Sequence, residues 1–190
     1  MFAIVVRAFE NPSVPAYRNS VNPMRDLEEL KTEMLLADLE LVTTRIERLE
    51  KQIHKPTKTQ ARDKAELELQ LKLQEAIESE KPISSVIEND LQLDLIRSLN
   101  FLTLKPMMIV VNVGEDQLTE RIDLGGGIDI QTEVVQLCAS LESELAQLDT
   151  DSRVEFMADM GLTEPASKKF VQCCYSTLGY ISFLTAGSDE

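Results

Sequence analysis

Asn112 and Glu115 stand three positions apart behind five apolar residues, Met107 to Val111, in the stretch KPMMIVVNVGEDQL. A short apolar run that ends in small and polar residues is how a buried parallel strand delivers side chains to a ligand. In α/β sheets, ligands sit beyond the carboxyl ends of the strands. An amide side chain both donates and accepts, and a carboxylate only accepts, so Asn112-Val113-Gly114-Glu115 suits the edge of a nucleotide base. The same residue types also turn a chain after a strand, with no ligand involved. Gly125, Gly126 and Gly127 suggest a phosphate cradle only weakly, because no strand leads in, no helix follows and no Lys is at hand. One histidine and three cysteines show no zinc spacing; no catalytic residue and no metal ligand is assigned.

Three apolar segments read as the strands of a sheet that could carry this corner: Phe2–Phe9, Met107–Val111 and Glu133–Ser140, the last ending in Ala139 and Ser140. Between the first two lies a long helical insertion. Asn22-Pro23 is a helix start, since Asn caps free N–H groups and Pro at the first helical position gives up no bond. Leu35, Leu39, Val42, Ile46, Leu49 and Ile53 recur at intervals of four and three, a heptad seam on a helix expected from Pro23 to about His54. Pro56 ends it. The next stretch alternates as ELELQLKLQ, yet Ala, Glu, Gln, Lys and Leu form helices and β-branched residues are absent, so a helix is expected there. Leu67, Leu71, Leu73 and Ile77 are its apolar face, and two long helices with a short link predict an antiparallel hairpin. Lys81-Pro82 stops the second helix, and Asn89 caps a third with Leu91, Leu95, Ile96 and Leu99 inward. Downstream, helices are expected near Ser152–Met160, where Ser152 and Glu155 have capping-box spacing, and over Thr163–Leu178. GYISFLTAG then begins a strand.

The chain has 190 residues, 43% of them apolar and 27% charged, the proportions of a globular protein. A net charge of −14 argues against a general nucleic-acid-binding surface. There is no apolar run of membrane-spanning length and no basic region before the first apolar stretch. An odd number of cysteines, with Cys173 and Cys174 adjacent, suits a reducing cytoplasm.

In collinear order, AIVVRAFENPSVP, NPMRDLEELKTEMLLADLELVTTRIERLEK, LIRSLNFLTLKPMMIVVNVGEDQL, EFMADMGLTE and LGYISFLTAGSDE resemble segments of the YchF-type, Obg-like ATPases, a branch of the P-loop GTPases. The resemblance implies an α/β fold: part of a G-domain parallel sheet with a long antiparallel coiled-coil hairpin inserted. It divides the chain into residues 1–22 and 101–150 (G domain), 23–100 (hairpin) and 151–190 (helices leading towards a TGS domain). It places the G-x-x-x-x-G-K-[ST] loop and the D-x-x-G switch upstream of Met1, and no such phosphate loop occurs within the 190 residues. The chain is therefore expected to be a central fragment that does not hydrolyse nucleotide alone, with Mg²⁺ relevant only in a complete protein.

By the same resemblance, Asn112, Val113 and Glu115, with Ala139 and Ser140, form the base-binding corner, where ordinary GTPases have Asn-Lys-x-Asp. Glu115 is one methylene too long for the guanine-clamping Asp, while Asn112 still suits a purine's N7 and exocyclic group. The resemblance implies ATP, tolerated beside or preferred over GTP, bound weakly by this chain.

The hairpin link differs in charge from the rest. Lys51, Lys55, Lys58, Arg62 and Lys64 account for five of the chain's 19 basic residues, and Asp63 for one of its 33 acidic ones. Such a tip is either a solvated turn or a contact for a polyanion, and the resemblance points to RNA or the ribosome. The alternative to a nucleotide switch is a non-enzymatic coiled-coil module that binds RNA, the ribosome or protein through this tip. An uncharged first strand, FAIVV, with no neighbour preceding it is expected to promote self-association.

Overall fold

The computed structural model describes residues 1–126, 128 and 132–184. The chain forms two compact units, Met1–Leu27 with Pro106–Glu190, and Glu28–Lys105.

The first unit is built on three parallel strands, β1 (Phe2–Arg7), β2 (Met107–Asn112) and β3 (Val134–Leu137), in that spatial order. The continuous apolar run of β2 follows from burial on both faces. On one face Ile109 and Val111 pack with Ile4, Val6, Leu141, Leu145 and Met157. On the other, Met108, Val110 and Val135 lie under Phe170, Cys173 and Cys174. Among the described residues, four α-helices serve this unit wholly or in part: the start of α1 (Pro23–Gln52), then α4 (Ala139–Gln147), α5 (Thr150–Asp159) and α6 (Ala166–Leu178).

The third strand is shorter than expected. It stops at Leu137, and Ala139 and Ser140 open helix α4, which the sequence reading missed. Its Leu141 and Leu145 are buried; spacing them on a nine-residue helix leaves a pattern too short to register. Helix α5 is capped by Asp149, whose Oδ1 accepts from the N–H groups of Asp151 and Ser152, rather than by Ser152. Helix α6 starts at Ala166, three residues later than expected, because Pro165 is held in an extended conformation. Residues 180–184 form no strand; Thr185, Ala186 and Gly187 of that expectation lie outside the described residues, as does Gly127 of the glycine triplet. Gly125 has φ +76°, and a Cβ there would meet Met24 Sδ at 2.7 Å. Close packing against α1 accounts for this glycine without a phosphate.

In the second unit, α1 continues to Gln52 and α2 (Gln60–Glu78) pairs with it in reverse order. Arg45 donates to Glu66 through Nε and Nη2, and Gln52 Nε2 donates to Asp63. Val42, Ile46, Leu69, Leu73 and Ile77 are buried together, with Leu35, Leu39 and Leu67 beside them. Leu71 is not part of this face: it is 47% exposed, and Leu69 takes its place. Leu69, Leu73, Ala76 and Ile77 are separated by four, three and one, one side of a helix. In α3 (Asp90–Ile96), Asn89 Oδ1 accepts from Gln92 N as the capping pattern predicts. Ile96 is buried, whereas Leu91, two residues after the cap, is 76% exposed.

Asp38 closes this unit. It is fully buried in α1, and its carboxylate accepts from Leu102 N at 2.8 Å, Thr103 N at 2.9 Å and Thr103 Oγ1 at 2.7 Å. Three donors on one buried carboxylate fix the returning chain against the middle of α1. Among the described residues no helix is long and apolar enough to cross a membrane.

Candidate functional site

Asn112 ends β2 at the carboxyl edge of the sheet, in register with Arg7 on one side and Leu137 on the other. Its Oδ1 accepts from the backbone N–H of Ala139 at 3.1 Å. This bond joins the ends of β2 and α4, so the two sequence segments carrying Asn112 and Ala139 meet in space. It also fixes the amide: Oδ1 must face Ala139, which turns Nδ2 the other way.

The remaining residues of the corner are distributed unevenly. Val113 is 1% exposed and belongs to the core; its N–H donates to Leu137 O, which leaves the site only its carbonyl. Gly114 N donates to Gln117 Oε1 at 3.1 Å, holding the turn Glu115–Gln117. Glu115 is exposed at the start of that turn. Ala139 and Ser140 are exposed at the N-terminus of α4, whose preceding residue, Cys138, contributes no side-chain cap. The edge therefore presents an amide, an exposed carboxylate and the N–H groups of α4 that follow Ala139, a set able to hydrogen-bond a planar heterocycle.

Two further side chains shape this end of the sheet and were not singled out from the sequence. Arg7 donates through Nη1 to Val14 O at 3.0 Å, with its guanidinium 5.7 Å from the centre of the Phe9 ring. Glu142, on the first turn of α4, accepts from Ala166 N at 2.7 Å and Ser167 N at 3.2 Å. It thus caps α6 from a distance, where Pro165 offers no side chain to do so. Neither role leaves a mark in local sequence, since the partners lie 7 and 24 residues away. Burial, with Glu133 next, pushes the Cys173 thiol up and away from reactivity. No group of three or more His, Cys, Asp or Glu that could hold a metal occurs among the described residues.

The five basic residues converge at the link between α1 and α2. Lys51 is in the last turn of α1, Lys55 and Lys58 are in the link, and Arg62 and Lys64 open α2. All five are exposed. Asp63, the acid among them, is 6% exposed and accepts from Gln52 Nε2 and Thr59 Oγ1. The surface of the link is therefore cationic.

Along 98% of its length the chain is 34% identical to a ribosome-binding ATPase, YchF, of Bacillus subtilis. It is 35% identical over the same share to the YchF of Haemophilus influenzae and 34% to that of Escherichia coli O157:H7. The chain is a YchF-type sequence. It spans about half the length of these relatives, 52% in each case. No family model matches it. The structure of the Schizosaccharomyces pombe YchF GTPase superposes with a TM-score of 0.77 at 23% identity, over 92% of this chain and 49% of that one. That likeness establishes the fold: the YchF-type α/β architecture with its three parallel strands and inserted helices.

Proposed function

We propose that the chain is the base-reading part of a purine-nucleotide site in a ribosome-associated YchF-type switch. The observation that carries this reading is the bond from Ala139 N–H to Asn112 Oδ1 at the carboxyl edge of the sheet. With Oδ1 directed at Ala139, Nδ2 is free to donate to N7 of a purine, and the second lone pair of Oδ1 accepts from an exocyclic amine. Adenine supplies both partners. Glu115 and the start of α4 complete the edge, with Val113 contributing backbone and Ser140 its N–H. In this reading residues 1–22 and 101–150 are G-domain pieces, residues 23–100 a coiled-coil arm, and residues 151–190 lead to a further domain. The arm's tip (Lys51, Lys55, Lys58, Arg62 and Lys64) contacts RNA or the ribosome, and the open edge of β1 draws the 190-residue chain into self-association. The ATPase activity named for the relatives favours this over a non-enzymatic coiled-coil module that binds RNA, the ribosome or protein through the tip.

Phosphate contacts supply much of a nucleotide's affinity, and these 190 residues carry no P-loop motif. ATP binding by the chain is therefore expected to be millimolar or weaker, with Mg²⁺ adding nothing. Isothermal calorimetry tests this, and micromolar binding would overturn it. In a longer protein that joins this segment to a phosphate loop, Glu115→Asp should move preference towards GTP. Unchanged ATP/GTP discrimination there would remove Glu115 from the base site.

A further inference from the structure

We infer that the helical unit holds an unpaired RNA base in a groove beside α1, next to the cationic link. This rests on the proposal that the link contacts RNA.

Besides its buried seam, α1 carries a second stripe. Ala37, Leu41, Thr44, Arg48 and Lys51 recur at intervals of four, three, four and three, so they share one face of the helix. The face changes character along its length. Ala37 is half-buried and Leu41 is 39% exposed, and with Leu99 and Leu102 they line a groove of about 510 Å³. Thr44 and Arg48 line the same groove. Arg48 and Lys51 are exposed and continue towards Lys55 and Lys58. Arg45 is held by Glu66, which holds its guanidinium above the ordinary value through that hydrogen bond. Arg48 has no ion-pair partner among the described residues.

The outer face of α1 thus joins an apolar groove to Arg48 and Lys51, with Glu47 and Glu50 beside them, and through these to the cations of the link, on a chain of net charge −14. A single-stranded polynucleotide fits both halves. Its phosphates match the cations, and an unstacked base buries its faces against Leu41 and Leu99, with the Arg48 guanidinium plane available for stacking. Glu40 also lines the groove. A carboxylate there repels a phosphate but accepts an N–H from a base edge, which fixes which part of the nucleotide enters. Duplex RNA keeps its bases stacked and can use only the cations.

The test measures binding of the 190-residue chain to a 12-nucleotide single-stranded RNA and to a 12-base-pair RNA duplex, by fluorescence anisotropy across a salt series. The wild type should bind the single strand more tightly. Leu41→Ala should weaken single-strand binding about fivefold, the scale of losing a few aliphatic carbons that cover one face of a base. It should leave duplex affinity, salt slope and helicity unchanged. Equal binding of both RNAs by the wild type, or an unaltered ratio in Leu41→Ala, overturns the groove while leaving the cationic link in place. The quadruple variant Lys55→Glu, Lys58→Glu, Arg62→Glu, Lys64→Glu should lose affinity for both RNAs. Full retention by that variant overturns the link reading and the groove with it. Binding of an acidic leucine-containing peptide that Leu41→Ala abolishes, with neither RNA bound, would assign the groove to a protein and overturn the proposal.

Discussion

Asn112 is legible in the sequence as a polar residue after an apolar run, but its orientation is not. The N–H of Ala139 takes Oδ1, and so decides that Nδ2 is the atom turned away from α4. Asn112→Asp separates these two roles. The carboxylate still accepts from Ala139, so the sheet edge should stay folded. It has no hydrogen to give a purine N7 and adds charge at the proposed base site. We expect thermal stability close to wild type, with ATP affinity lowered about tenfold in a longer protein that carries the phosphate loop, the scale of one lost hydrogen bond. Calorimetry and a melting curve on the same sample check it; undiminished ATP affinity would remove Asn112 from the site.

At the level of the element, helix spacing identifies the seam of α1 and mistakes part of that of α2. Leu71 reads as apolar-face and is exposed, because the buried side of α2 is the one that carries Leu69, Leu73, Ala76 and Ile77. The anchor of the unit, Asp38, reads as one more surface acid on a helix, and only its partners 64 and 65 residues away reveal it. Asp38→Ala strands two backbone N–H groups and a hydroxyl, and should cost about 3 kcal/mol. Urea unfolding followed by helical circular dichroism measures this; a loss within error would make the clamp incidental. The cap of α5 provides a pH-dependent case. The N–H of Ser152, then its hydroxyl, hold the Asp149 carboxyl below its ordinary value. A lowered folded value means the cap's contribution is complete above the unfolded value of about 3.9 and is lost as pH falls through the lower folded one. The protection of the Asp151 and Ser152 amides, relative to their intrinsic exchange rates, should fall over that acid range, and Asp149→Asn should flatten the dependence. Identical acid profiles for the two proteins would refute it.

At the scale of the 190-residue chain, the described strands leave β1 at one end of the sheet. Among the described residues β1 pairs only with β2, and Val5, in its middle, is 65% exposed. An edge strand whose middle, Ala3 to Val6, carries no charge recruits others. Light scattering over a concentration series should show mass rising with concentration. A Val5→Lys variant should shift it back towards monomer, since a charge on an edge strand opposes pairing. A monomer at every concentration, with slow exchange of the Phe2–Arg7 amides, would show the edge to be covered.

What the sequence alone determined is whatever depends on local period and composition: three apolar strands, two long helices, the Asn22 and Asn89 caps and the cationic link. These are set within a few residues, where hydrogen bonds and burial repeat with the element's own geometry. The family resemblance was legible for the same reason, as collinear local segments. The tertiary structure decided what depends on residues far apart in the chain. It set the end of β3 and the start of α4 at Ala139, the burial of Asp38 and Asp63, and the capping of α6 by Glu142. It also turned the amide of Asn112 and placed Leu99 and Leu102 beside the outer stripe of α1. A polar side chain carries no period that announces its partner. Its role is settled only when folding brings a donor within about 3 Å and takes water away.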